Sequence, residues 1–276
     1  MSTAQQPLPL NQREPVALTI AGSDSSGGAG IQADLKTFTV LAVYGATVLT
    51  ALTAQNTVGV QGVQLVPSGF VTEQMDSCFA DLNVRAVKTG MLASTEIVAA
   101  VADRLAEEAV ALVVDPVMVA TSGDPLLTPD AVASYKSRLI PRADIVTPNL
   151  HEAARLLDTA PARTVEEMRA QAEALRSLGC RYVLVKGGHG VGDEAIDVLA
   201  GPGGIRLLSS PRYSSRNTHG TGCTLSAAIA GHLAKGLEMD AAVDAAKAFI
   251  AQAIMAGAGR NVGAGHGPVD HLFRLR

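Results

Sequence analysis

Apolar residues follow two rhythms along this chain. Short continuous runs alternate with stretches in which apolar residues return every three or four positions, predicting strands and helices in turn. Val16–Ala21 is the first run and stops at Gly22; Ile31, Leu35, Phe38 and Leu41 then mark one helical face. Residues 46–54, β-branched at alternate places, predict a strand leading to Gln55-Asn56. Val58, Val60, Val63 and Leu65 alternate with polar residues through 58–66, the pattern of a partly exposed edge ribbon. Val71, Met75, Phe79 and Leu82 predict a helix, Val84–Thr89 a strand, and Ile97, Val101 and Leu105 a helix capped by Ser94. Ala111–Val114, 145–147 and Tyr182–Val185 are further strands. The helices between them start at Thr128-Pro129 and at Thr164, where Thr164 and Glu167 have capping-box spacing, and Gly179 closes the second. Two short strands, 195–199 and 205–208, precede a helix carrying Leu225, Ile229 and Leu233, and a last helix carries Val243, Ile250 and Ile254. From Gly257 onward the chain is Gly-rich and weakly patterned.

Strand and helix alternating throughout predicts an α/β fold, a mainly parallel central sheet with helices on both faces. No composition break divides it. The expected organisation is a flexible polar segment at 1–14, then one domain over 15–276 with the 58–66 ribbon as a small β flap. Composition adds that the core is aliphatic, since 47% of the 276 residues are hydrophobic and only 3% aromatic. A formal net charge of -4 carries no basic signature, so nucleic acid is not an expected partner. No apolar run reaches membrane-spanning length and no signal-peptide pattern opens the chain, so the expected location is the cytoplasm. Cys78, Cys180 and Cys223 are scattered as in a reducing compartment, and no histidine pair has zinc spacing.

The candidate chemistry sits where strands end, the side on which open α/β sheets bind ligands. Gly22, Gln55, Met91, Asp115, Asn149 and Lys186 each follow a predicted strand. Asp115 before Pro116 is either a turn former or a carboxylate beside a metal or phosphate. Asn149 and Glu152 are either a capping box or a pair able to hold Mg²⁺ through its water shell. Lys186-Gly187-Gly188 either is solvated or places a cation at nucleotide phosphates. Asp34, one turn into its helix, serves the helix dipole or faces a ligand. The amide of Gln55 offers a donor and an acceptor together, a match for an aminopyrimidine edge. Asn217-Thr218-His219-Gly220-Thr221-Gly222-Cys223 runs into the helix carrying Leu225. It reads either as a packing turn or as an anion site of open amides, with a depressed thiol pKa at Cys223. Gly28 and Gly30 mimic a dinucleotide fingerprint, but Ala33 stands three residues later and no acidic residue ends a second strand, which disfavours a Rossmann dehydrogenase.

Together these motifs resemble the ribokinase-like kinases, and among them the hydroxymethylpyrimidine/phosphomethylpyrimidine kinases of thiamine biosynthesis. The resemblance runs from about Val16 to the last helix. It rests on residues 17–24 with 26–36, 53–57, Lys88-Thr89-Gly90-Met91, Asp115-Pro116-Val117-Met118, 185–189 and 219–223. It implies ATP- and Mg²⁺-dependent phosphorylation of 4-amino-5-hydroxymethyl-2-methylpyrimidine and then of its monophosphate. Gly22, Asp34, Gln55, Met91 and Val117 would match the pyrimidine pocket. Lys186, Asn149 and Thr218 would match the nucleotide side, and Asp115 and Glu152 the metal. Gly220, Thr221 and Gly222 would form the anion hole beside Cys223, which stands where the wider superfamily places a general-base Asp and which, as thiolate, would take or orient the substrate proton. A homodimer is implied, with the 58–66 ribbon as its contact. Two positions depart from the pattern. Ser25 replaces a common Pro, with an expected effect on loop stiffness alone, and Thr121 replaces a common Lys, which bears on the second phosphorylation. A pyridoxal/pyridoxine kinase of the same superfamily and a catalytically silent pyrimidine-binding sensor are the alternatives.

Overall fold

The computed structural model describes residues 8–118, 129–188 and 193–276. In chain order the elements are β1 (Val16–Ala21), α1 (Gly30–Val40), β2 (Tyr44–Leu49), β3 (Ala51–Gln55), β4 (Val60–Leu65), α2 (Ser68–Asp81) and β5 (Val84–Thr89). There follow α3 (Thr95–Leu105), β6 (Ala111–Val114), α4 (Pro129–Ser134), β7 (Ile145–Val146), α5 (Leu150–Leu157), α6 (Val165–Arg176) and β8 (Tyr182–Val185). β9 (Glu194–Gly201), β10 (Gly204–Pro211), α7 (Thr221–Ala234) and α8 (Met239–Gly257) complete the series. The strands form an eight-stranded sheet in the order β10-β9-β8-β7-β6-β5-β1-β2, parallel from β8 to β2 and antiparallel at β8–β9–β10. Runs such as Leu18 and Ile20 or Val113 and Val114 carry β-branched and aliphatic side chains because both sheet faces are covered. One face packs on α2 to α6 through Met75, Ile97, Val101, Ala153 and Leu175; the other packs on α1, α7 and α8 through Phe38, Ile229 and Phe249.

Two expectations change. The strand predicted at 46–54 is two strands in different sheets. β2 ends at Leu49, Thr50 is pinned by its N–H to Ala21 O (3.1 Å) and by its hydroxyl to Met91 O (2.6 Å), and β3 leaves to pair antiparallel with β4. β3 and β4 make the expected flap, a separate two-stranded ribbon. Within the N-terminal segment, Arg13 forms an ion pair with Asp81 (2.6 Å) and its carbonyl accepts from Asn83 (2.7 Å), so residues near 13 lie against the domain. Thr128, His189 and Thr121 lie outside the described residues.

The strand order reverses between β1 and β5, since β2 lies on one side of β1 and β5 on the other. Such a switch point leaves a crevice at the carboxyl ends of the strands. Here it is bridged by Gly22 N–H donating to Met91 O (3.2 Å).

Candidate active site

Alternation along the strands builds the floor of the crevice. Ala17, Ala86, Val113, Ile145 and Leu184 all face α7 and α8. The residue two further along each strand points the same way. Those residues are Thr19, Lys88, Asp115, Thr147 and Lys186. Five neighbouring strands therefore carry polar groups on one face toward their carboxyl ends, beneath the first turn of α7, and the groups satisfy one another. Asp34 accepts from Thr19 (2.6 Å) and from Lys88 at both oxygens (2.8 and 3.1 Å). Asp115 accepts from Lys186 (2.9 Å), Thr147 (3.2 Å) and Ser226 of α7 (3.2 Å). Burial works against the charge of Asp115, yet Lys186 and Lys88 hold its carboxyl below the usual range. Lys88 is fully buried, and Asp34, with Cys223 and Asp115, keeps it protonated against that burial.

This layout gives Asp34 partners within the protein. It is 0% exposed with both oxygens engaged by Thr19 and Lys88, and Lys88 is a residue that its motif contained but gave no role.

α7 begins at Gly220, whose φ of +78° a side chain would strain and whose Cβ would run into Gly28 O. The turn therefore seats directly on the glycine loop after β1. Asp24 locks the two together. It accepts from Gly28 N–H (3.1 Å), Ala29 N–H (2.8 Å) and Ser26, and pairs with His219 Nε2 at 2.8 Å. Thr221 N–H is taken by Thr218 O (3.2 Å), which Thr221 Oγ1 also reaches (2.6 Å). The N–H groups of Gly220, Gly222 and Cys223 have no partner among the described residues. Open amides at a helix start, with Lys186 Nζ 3.2 Å from where a Gly222 side chain would begin, are an arrangement able to hold an anion. Thr221 lends its position to the turn and its amide to Thr218, so the open donors are fewer than expected. Thr218 itself is exposed beside them.

Cys223 reverses its expectation. It is only partly exposed, and burial pushes its thiol up to about 11; Lys88 pulls the other way, and Asp34 and Asp115 add to the rise. The free protein holds a thiol, not a thiolate, at neutral pH.

Asn149 and Glu152 form a complete capping box. Asn149 Oδ1 accepts from His151 and Glu152 N–H (both 2.9 Å), and Glu152 Oε2 accepts from Asn149 N–H (2.8 Å). Glu152 also stands in the charged row. Burial raises its carboxyl to about 7, with Asp115 adding to the rise and Lys186 opposing it. Met91 is buried against Gly22, Val117 is half-buried with its N–H on Asp115 O (2.8 Å), and Gln55 is partly exposed at the end of β3. A cavity of about 460 Å³ opens between 258–265 and residues 214–217, which lead directly into Thr218 and the first turn of α7.

A family model described as phosphomethylpyrimidine kinase matches residues 24–270. The chain is 55% identical to the hydroxymethylpyrimidine/phosphomethylpyrimidine kinase of Rhizobium meliloti (strain 1021), over 94% of this chain and 97% of that protein. The chain belongs to the phosphomethylpyrimidine kinase family. Among solved structures it resembles phosphomethylpyrimidine kinase from Clostridium difficile 630, with TM-score 0.78 and 43% identity over 87% of this chain and 100% of that one. It also resembles the ADP complex of Bacillus subtilis pyridoxal kinase, with TM-score 0.88 and 38% identity over 96% and 100%. As a phosphomethylpyrimidine kinase family member it has the expected ribokinase-like architecture, flap included. Apart from Thr19, the row beneath α7 lies within the matched span, as does the first turn of α7.

Proposed function

We propose that this protein moves the terminal phosphoryl group of ATP to the hydroxymethyl oxygen of 4-amino-5-hydroxymethyl-2-methylpyrimidine, and then phosphorylates the monophosphate to the diphosphate. The observation that carries this is the first turn of α7, whose open Gly222 and Cys223 amides lie against Lys186 and Asp115 and beside the Gly22–Met91 crevice. Phosphoryl transfer asks mainly for positioning and for neutralisation of charge on the moving group. Amides already aimed at that group serve both needs, each typically worth about 3–4 kcal/mol at such sites. Lys186, anchored on Asp115, adds the cation, and Gly22, Met91, Val117 and Gln55 frame the ring.

The residues present fit a Mg²⁺ held through its waters. Asp115 and Glu152 bring two carboxylates together at the nucleotide side, Asp115 adding to the rise that burial imposes on Glu152, and a dication would favour the charged form of both. Hydrogen bonds already occupy Asp115, so direct ligation by it would displace Lys186. When bound, the ion would screen the charge of the phosphates. Asn149 and Thr218 would contact the nucleotide.

Cys223 orients the substrate hydroxyl rather than removing its proton, because its own proton is held at neutral pH. A homodimer is proposed through the flap, where Leu52, Val58, Val63 and Leu65 expose apolar side chains. The unpaired cysteines suit a reducing cytoplasm, and no helix among the described residues is long and apolar enough to cross a membrane.

The likeness to pyridoxal kinase at TM-score 0.88 supports a second reading, with pyridoxal as a co-substrate. An ATP-coupled assay with the pyrimidine alcohol, its monophosphate and pyridoxal separates the outcomes. Turnover of the first two is expected. Turnover of pyridoxal alone would replace the substrate assignment, and tight pyrimidine binding without ADP release would indicate a sensor. The monophosphate arm also reports on Thr121.

A further inference from the structure

The flap strand is fastened to the glycine loop by hydroxyl groups. Ser23 N–H donates to Ala51 O (2.9 Å), the last main-chain bond between the two segments. Thr53 N–H then donates to Ser23 Oγ (3.1 Å), and Thr53 Oγ1 to Ser23 O (2.8 Å). Two residues further, the Ser25 hydroxyl makes both contacts of its rung: it donates to Gln55 O (2.7 Å) and accepts from Gln55 N–H (2.8 Å). Thr53 Oγ1 also lies 3.3 Å from Gln55 Oε1.

We propose that Ser25 is a positioning residue for the acceptor substrate: its hydroxyl latches the end of β3 to the glycine loop and so sets where the Gln55 amide meets the pyrimidine ring. This rests on Gln55 as a pyrimidine contact. Three observations show what the latch has to hold. An isolated two-stranded ribbon has little stability of its own. Its register slips between Ala54 and Gln55, so Gln55 pairs opposite Val60 at an irregularity in the ladder. And β4, the other strand of the ribbon, presents mostly exposed residues, leaving little packing to hold the tip. Ser25 is exposed and acts through Gln55 rather than on the ring. Alanine or proline at position 25 would supply neither bond, so the departure at Ser25 does more than alter loop stiffness.

The test uses the full chain with Ser25→Ala and Ser25→Thr. Ser25→Ala is expected to raise KM for the pyrimidine alcohol about five- to tenfold, the size of one to two hydrogen bonds at a partly exposed site. KM for ATP stays unchanged, and Ser25→Thr, which keeps the hydroxyl, restores the alcohol KM. In the ligand-free protein, hydrogen–deuterium exchange at the Gln55 amide is expected to be faster in Ser25→Ala and at the unaltered rate in Ser25→Thr. An unchanged alcohol KM, a rise shared equally by ATP, or unchanged exchange at Gln55 overturns the latch. If the unaltered protein does not phosphorylate the pyrimidine alcohol, the substrate reading fails, and the exchange measurement still decides whether the latch exists.

Discussion

At Cys223 the neighbourhood overrides the position. A thiol in the first turn of a helix is favoured as thiolate. Here burial, with Asp34 and Asp115 nearby, outweighs Lys88 and leaves the thiol titrating at about 11. The sign is that of a raised acid: thiolate is scarce at neutral pH and grows as pH climbs toward 11. Iodoacetamide labelling of the ligand-free protein, mapped to the Cys223 peptide, should therefore accelerate about tenfold per pH unit between roughly pH 7 and 10. A rate already level near pH 7 would restore the thiolate. The reason the sequence misleads is local: Thr224 and Gly222 report a helix start, and nothing beside Cys223 in the chain reports the two carboxylates brought to it from α1 and from the end of β6. The role of Lys88 was hidden in a similar way. The Lys88-Thr89-Gly90-Met91 motif contains it, but nothing nearby in the chain says that both faces of the strand are covered and that it is 0% exposed. Asp34 was visible as a residue but not as its partner.

Among the elements, those that announce themselves by period were the legible ones. β1, β6 and β8 are apolar runs, and α3, α5 and α6 carry side-chain caps at Ser94, Asn149 and Thr164. At 149–152 the chain offered two readings, and the fold uses the cap while keeping Glu152 in the charged row. The split at Thr50 was not legible because β-branched residues favour a strand without saying which sheet it joins. The 58–66 alternation did foretell the flap. The ribbon exposes Leu52 (50%) on one face and Val63 (47%) and Leu65 (43%) on the other, apolar area that a second copy would cover. Val63→Asp is expected to shift the protein from dimer to monomer in sedimentation velocity while its melting temperature moves little. A dimer that survives this change would place the contact elsewhere.

Across the whole molecule, a buried tie between distant parts of the chain is Asp24 to His219, 195 residues apart. Asp24 titrates at about 2 instead of 3.8; burial opposes this, while the bonds from His219, Ser26 and Ala29 bring it down. A carboxyl lowered in the folded state stabilises the fold above its unfolded pKa and loses that contribution as pH falls through the folded one. The difference is worth about 2 kcal/mol at neutral pH, lost between roughly pH 4 and 2. Denaturant unfolding of Asp24→Asn beside the unaltered protein should show that gap at pH 7 and its closure near pH 2. A gap constant with pH would mean that shape, not charge, is what Asp24 supplies.

The row beneath α7 also constrains how this protein can change over generations. Asp34, Lys88, Asp115, Lys186 and Glu152 alternate in sign and answer one another rather than water. Removing one strands its neighbour: a buried pair that loses a member typically costs about 3–5 kcal/mol, while replacing both with hydrocarbon of similar volume costs little or even stabilises. A library selected for folding alone would thus lose Lys88 and Asp34 as a couple and drift toward an oily floor. Only a demand for turnover would keep the row charged, and change within it is expected to go by coupled substitutions, with single steps closed off.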